Sequence, residues 1–291
     1  MALADCQWQV RDLVAGPGTA WTVVHPSNPF QTQVRADQAG VRAWNHGSWS
    51  GAEWGQERVV PLRFHGRAPS GDWAGSLQLI QQLNAAFAPV GDAAADVELR
   101  YSLGGTEYLL LGRPRMSEPE LSNAVRGHVW ANCAFVALDP RIYSADEHTG
   151  SIGLPSFSGG LTVGVGETLG TVPFTVDGVL SDGFADLENV GTTDTALRIR
   201  IDGPVSTPRF SVQRPDGTTE TLRVLFDLQA GQWLDVDTGS HVVLLNGVAS
   251  RRGQVSGEFP LLPPGESRLR FNAAAFNEEA ELSWTYRSAW W

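Results

Sequence analysis

The sequence predicts a mainly β protein in two parts: an α+β first half with one amphipathic helix, then an all-β antiparallel sandwich. Three observations predict it. Residues 97–103 alternate strictly between apolar and polar; one apolar stripe, from Trp73, recurs at helical spacing; and past a Gly/Ser-rich stretch the chain becomes short strands and turns.

In the first half, Trp73, Leu77, Ile80, Leu83 and Phe87 recur at steps of three and four, which puts them on one helix face. Ser70 or Asp72 can cap the helix start, Pro89 stops it, and Gln81, Gln82 and Asn84 fall on the polar side, so the helix is predicted near 73–88. Val97 to Leu103 reads as a half-buried strand, Gly104-Gly105 as a hairpin turn, and Tyr108-Leu109-Leu110-Leu111 as the return arm. Arg126 to Leu138, rich in Val, Trp and Phe, is a further strand. Ser151 to Gly170 shows little order and is predicted to be a linker, giving domains 1–150 and 151–291.

In the second half, Leu197 to Ile201 alternates and ends in Asp202-Gly203-Pro204. Arg209 to Val212 leads into Pro215-Asp216-Gly217-Thr218, where proline presets φ and glycine takes the positive-φ position of a turn. Strands follow at Thr221–Leu228, Trp233–Val236, Val242–Leu245, Leu269–Phe271 and Leu282–Tyr286. Short strands at this spacing imply an antiparallel sandwich.

Composition excludes several functions. Hydrophobic residues make up 42% of the 291, enough for real cores and against long disorder. No run approaches the roughly 18 apolar residues of a membrane span. The start Met1-Ala2-Leu3-Ala4-Asp5-Cys6 lacks the basic and apolar regions of a signal peptide, so synthesis in a cytoplasm without export by that route is expected. A net charge of −11 argues against gripping nucleic acid through a basic face; it suits a solvated assembly part or a wall along which DNA slides. Lysine is absent and every cation is arginine, which reads as codon bias. Cys6 and Cys133 fit no metal spacing and read as incidental thiols.

The hints of chemistry are weak. Asp237-Thr238-Gly239-Ser240 matches an aspartic-protease loop, but that chemistry needs two carboxylates sharing a proton, and Asp177-Gly178, Asp182-Gly183 and Asp202-Gly203 lack the intervening Ser or Thr. Gly164 to Gly170 has its last glycine one place too late for a dinucleotide fingerprint. The histidines His25, His46, His65, His128, His148 and His241 form no metal pair at helical or strand spacing. No catalytic, cofactor-binding or metal residue is therefore assigned. The candidate site is Trp44, Trp49 and Trp54, every fifth residue of a Gly-rich stretch, read as subunit interface or loop packing, with plain core and sugar stacking as alternatives.

Several segments together resemble the distal tail family of long-tailed, non-contractile phages. They are the glycine-rich loop Gly47–Gly55 entering the strand Arg58–Phe64, the helix from Trp73, Tyr108–Arg113, and Phe135–Tyr143. In the second half they are Leu187–Thr192, Leu234–Asp237, Phe259–Phe271 and the ending Trp284–Trp291. The resemblance implies a β-barrel-like first domain with a flanking helix, and a galectin-like sandwich after it. It implies a structural virion protein at the distal end of the tail, with no enzyme activity. Six copies would form a ring around a DNA channel and join the tail tube protein to the tail-tip hub protein, with the tape-measure protein as a further candidate partner. No specific nucleic-acid binding, membrane insertion or cofactor is expected. The alternative is a glycan-binding adhesin module of a phage tail or cell surface, with Trp233 as a second candidate platform.

Overall fold

Alternating sequence becomes antiparallel sheet along most of the chain. The computed structural model describes residues 2–24, 28–69, 71–91, 96–163, 174–181 and 183–291. They group into two compact units, Met1–Asp146 with Trp290–Trp291, and Glu147–Ala289.

The first unit opens with β1 (Trp8–Val10), β2 (Leu13–Ala15) and β3 (Trp21–Val24). Four short strands follow: β4 (Val34–Asp37), β5 (Gly40–Val41), β6 (Ser48–Trp49) and β7 (Ala52–Gly55). Then come β8 (Arg58–Arg67), helix α1 (Trp73–Ala86), β9 (Val97–Leu103), β10 (Thr106–Glu120), β11 (His128–Ala137) and β12 (Ile142–Ser144). The main sheet runs β2-β1-β9-β10-β11-β8-β3, with β12 on β10. Its two ends meet where the Gly16 amide donates to the Trp21 carbonyl at 2.7 Å. The sheet is thus a nearly closed barrel, as expected.

Its core follows from period-two burial. Val60, Leu62 and Phe64 of β8 point inward with Val129, Ala131, Cys133, Phe135 and Ala137 of β11. Trp21 lies against Gly66, where an added Cβ would stand 2.8 Å from the indole. Pro61 breaks no second ladder on β8, because β3 pairs only with Arg63–Gly66. A bulge between Pro114 and Met116 adds Arg115 to β10 and shifts its register on β11 by one residue, after which pairing continues to Glu120.

The helix forms where its spacing predicts. Asp72 is the cap, its Oδ1 accepting from the Gly75 amide at 2.8 Å; Ser70 lies outside the described residues. The inward face differs from the predicted stripe. Ser76, Leu79, Ile80, Leu83 and Ala86 are buried, while Trp73 and Leu77 stay exposed. The reason is Ser76, whose small side chain lets the helix approach the turn Ala124–Arg126 and donates to the Ala124 carbonyl at 2.7 Å. Counting apolar residues alone rotates the helix toward Trp73.

The second unit contains β13 (His148–Gly153), β14 (Ser156–Val163), β15 (Phe174–Ser181), β16 (Phe184–Asn189), β17 (Arg198–Asp202), β18 (Arg209–Gln213) and β19 (Thr219–Val224). It continues with β20 (Trp233–Asp237), β21 (Val242–Leu245), β22 (Ala249–Ser250), β23 (Val255–Gly257), β24 (Gly265–Asn272) and β25 (Glu281–Tyr286). The last strand, β26 (Ala289–Trp290), pairs with β12. A six-stranded sheet, β13-β25-β17-β20-β21-β22, and a five-stranded sheet, β16-β24-β18-β19-β23, form the sandwich. Ile199, Ile201, Leu234, Val236 and Leu282 of the first meet Phe210, Val212, Leu222, Leu269 and Phe271 of the second in one core.

The stretch predicted as a linker is largely strand. Residues 148–153 pair with β25, and 156–163 form a separate hairpin with β15. Small residues hid this: Gly150 sits under the indole of Trp284, which needs no side chain there. Residues 164–170, with the glycine pattern, lie outside the described residues.

Candidate functional site

The three candidate tryptophans stand on an arm. The stretch expected to be a glycine-rich loop folds into two short ladders, β4 on β7 and β5 on β6. Val34 pairs with Gly55 and Asp37 with Ala52; Gly40 pairs with Trp49 and Val41 with Ser48. Between the ladders Gln38 and Gly51 both take positive φ, at 59° and 65°. Gly51 is needed there, since a Cβ would collide with the Asp37 carbonyl. The Arg42 amide donates to the Gly47 carbonyl at 3.1 Å and closes the tip.

Every residue from Phe30 to Gly55 is exposed. Trp44, at the tip, is 98% exposed, Trp49 63% and Trp54 57%, so none of them is core. Val41 and Val34 are exposed beside them. Arg42 lies over Trp49 at 4.6 Å. A two-stranded ribbon has little stability of its own in water, and single exposed apolar residues are ordinary, but this ribbon gathers five large ones.

The arm's root is packed by contrast. Arg58, 1% exposed, donates from Nη1 to the Pro29 and Gln31 carbonyls at 2.9 and 3.0 Å, and from Nε to the Pro140 carbonyl at 2.7 Å. Burial lowers its pKa from the usual guanidinium value, an effect opposed by the neighbouring Tyr101. Phe30 meets Tyr101 and Tyr108 edge-on, at 6.1 and 6.0 Å, beside the stack of Trp8 on Tyr101. Trp291 covers Gly55, where a Cβ would stand 2.6 Å from the ring. Sequence reasoning missed Arg58, although it occupies the same phase of β8 as the core residues Val60, Leu62 and Phe64.

Other candidate chemistry resolves into structure. Asp237 Oδ1 accepts from the Gly239 and Ser240 amides at 2.9 Å, and Thr238 Oγ1, buried, accepts from the Leu197 amide at 2.8 Å. Asp237-Thr238-Gly239-Ser240 is therefore built as a tight turn. His65 and His128, far apart in sequence, meet across β8 and β11, Nε2 to Nδ1 at 3.0 Å. His65 also stacks on Trp130 at 4.3 Å. His25 lies outside the described residues. Cys6 is exposed; Cys133 is buried, which pushes its thiol up to about 12. Among the described residues no three His, Cys, Asp or Glu side chains converge as a metal site, and no helix is long and apolar enough to cross a membrane.

On the six-stranded sheet, the face away from the core carries Arg198, Arg200, Asp235, Asp237, Ser283 and Thr285, which line a groove of 410 Å³. Trp233 is fixed at its margin, its Nε1 donating to Asp235 Oδ2 at 3.0 Å while Arg200 covers its ring at 4.6 Å.

Residues 190–290 match the family model of the siphovirus-type tail component, C-terminal domain. Among solved structures, the SPP1 Dit protein, described as a paradigm of the hub adsorption apparatus of phages infecting Gram-positive bacteria, superposes with a TM-score of 0.56. The match is 14% identical and covers 89% of each chain. A chain of the phage P2 baseplate, in its activated conformation with calcium, gives 0.51 at 11% identity over 96% of this chain and 97% of that one. No curated protein is detectably similar by sequence. Residues 190–290 thus resemble the C-terminal domain of a siphovirus-type tail component, and the chain has a Dit-like fold over most of its length.

Proposed function

We propose that this chain is a structural subunit of the phage tail tip: six copies form a ring around a DNA channel and join the tail tube to the tip or baseplate hub. The observation that carries the reading is the tail-component match at 190–290 together with the Dit fold across 89% of the chain. The first unit is the ring-forming part. Trp44, Trp49 and Trp54 contribute to the contact between subunits. An acidic chain of net charge −11 suits a wall that DNA must pass without binding. No catalytic step is assigned to it.

Light scattering after size exclusion, with negative-stain images of the same peak, tests this. Six chains of 31.4 kDa give a particle of about 188 kDa with a central hole. A monomer that also fails to assemble on tail tubes would defeat the ring.

A second reading rests on the groove beside Trp233. Paired Arg and Asp side chains next to an indole can hydrogen-bond and stack a sugar. Saturable binding to a host cell-wall polysaccharide, lost in Trp233→Ala, would support an adhesin; a silent glycan array and no cell binding would end it.

A further inference from the structure

The first unit carries, besides the arm, an open groove at the seam of its barrel. Arg11, Asp12, Leu13, Trp21, Gln82 and Ala85 are among the residues that line its 520 Å³. Leu13 and Trp21 give an apolar floor. The rim is polar and fixed: Arg11, at φ 51°, donates to the Ala85 and Ala88 carbonyls at 2.8 and 3.0 Å and so ties the seam to the end of α1. Asp12 and Gln82 stand ready to accept a hydrogen bond. An apolar slot with acceptors on its rim suits an indole, which has one N–H at its edge.

The chain's own arm does not fill that slot, because Trp44 is 98% exposed. From these two features we infer that the groove receives Trp44 from the arm of a second copy. The inference rests on the ring reading above and names the contact that builds it. Knob and slot are different places on one chain, so the contact is head-to-tail, the kind that closes into a ring when the rotation allows. The area is sufficient. A tryptophan buries ~150–250 Å², so the three indoles at their exposures offer on the order of 400 Å². With Phe30, Val34 and Val41 the arm approaches the roughly 800 Å² per partner of a stable interface.

The test is cysteine cross-linking between copies. In a Cys6→Ser background, one chain carries Trp44→Cys and another Ala85→Cys, a lining residue that is itself exposed. Mixed and oxidised, this pair should give a disulfide-linked dimer at least tenfold faster than a control pair of Trp44→Cys with Val248→Cys, an exposed residue of the second unit. A chain carrying both substitutions should give a ladder of linked copies. Trp44→Ala should weaken self-association at least tenfold while its circular dichroism stays unchanged. If a ring forms but the pair links no faster than the control, the groove assignment fails and the ring reading survives. If no self-association and no cross-link appear at any concentration, and none on tail tubes either, both fail together.

Discussion

The arm and β8 are neighbours in the chain and differ in burial. Strand β8 alternates, burying Val60, Leu62 and Phe64 and exposing Pro61 and Arg63 between them. The arm's ladders have no inside, and none of residues 30–55 is buried. Both are antiparallel β structure with large apolar side chains. What separates them is cover: the chain itself buries the inward side chains of β8 and leaves those of the arm exposed. Stability and assembly are therefore expected to reside in different residues, and each substitution below asks whether that division holds.

The largest effect belongs to β8. Phe64→Ala removes a buried ring that packs against Trp21 and Phe87, and should cost about 3–5 kcal/mol of unfolding free energy. Trp54→Ala in the arm should change it by less than about 0.5 kcal/mol. Urea unfolding followed by tryptophan fluorescence measures both. Equal costs would make the arm part of the core and erase the contrast.

The root lies between these extremes. Arg58→Ala leaves the carbonyls of Pro29, Gln31 and Pro140 without their donor, a loss on the order of 3 kcal/mol for charge-assisted bonds to a buried group. Amides of residues 30–57 should then exchange hydrogen faster, with those of the sandwich unchanged. Unaltered exchange in the arm would show that Phe30 and Trp291 hold it without the guanidinium. A smaller change is expected from Asp72→Ala, about 1 kcal/mol for a lost helix cap; it should lower stability without touching assembly, and a shift in oligomer size would contradict that.

The same division explains what the sequence allowed to be read. Where one side of an element is buried, the pattern shows: Val97–Leu103 is a strand over the residues its alternation predicts, and the helix starts at Trp73. Where neither side is buried, no period exists to find, which is why Trp44, Trp49 and Trp54 at five-residue steps looked like a loop. Glycine misleads in the same way. Gly150 and Gly153 lie in a strand because Trp284 fills the space over the first, so a run read as a linker is paired with β25. Ser76 shows the converse, a polar residue buried because one carbonyl awaits it. Long-range meetings such as His65 with His128 leave no local mark, since register across β8 and β11 brings them together.

That pair gives the smallest expected effect and the one that titrates. His65 is held below its usual value of 6.5, first by burial, then by repulsion from His128 and Arg67. A histidine depressed in the folded state favours the fold in its neutral form. Its contribution is fully present above the unfolded value and is lost as pH falls through the folded one. The melting temperature of the first unit should therefore fall between about pH 7.5 and 5.5, a window in which ordinary carboxylates stay ionised. Replacing both rings, His65→Gln with His128→Gln, keeps a donor and an acceptor at this spot and removes the charge, so the slope should flatten. A slope unchanged in that double variant would assign the pH dependence elsewhere. It would leave the histidine pair as packing on Trp130, as inert to pH as the indoles of the arm.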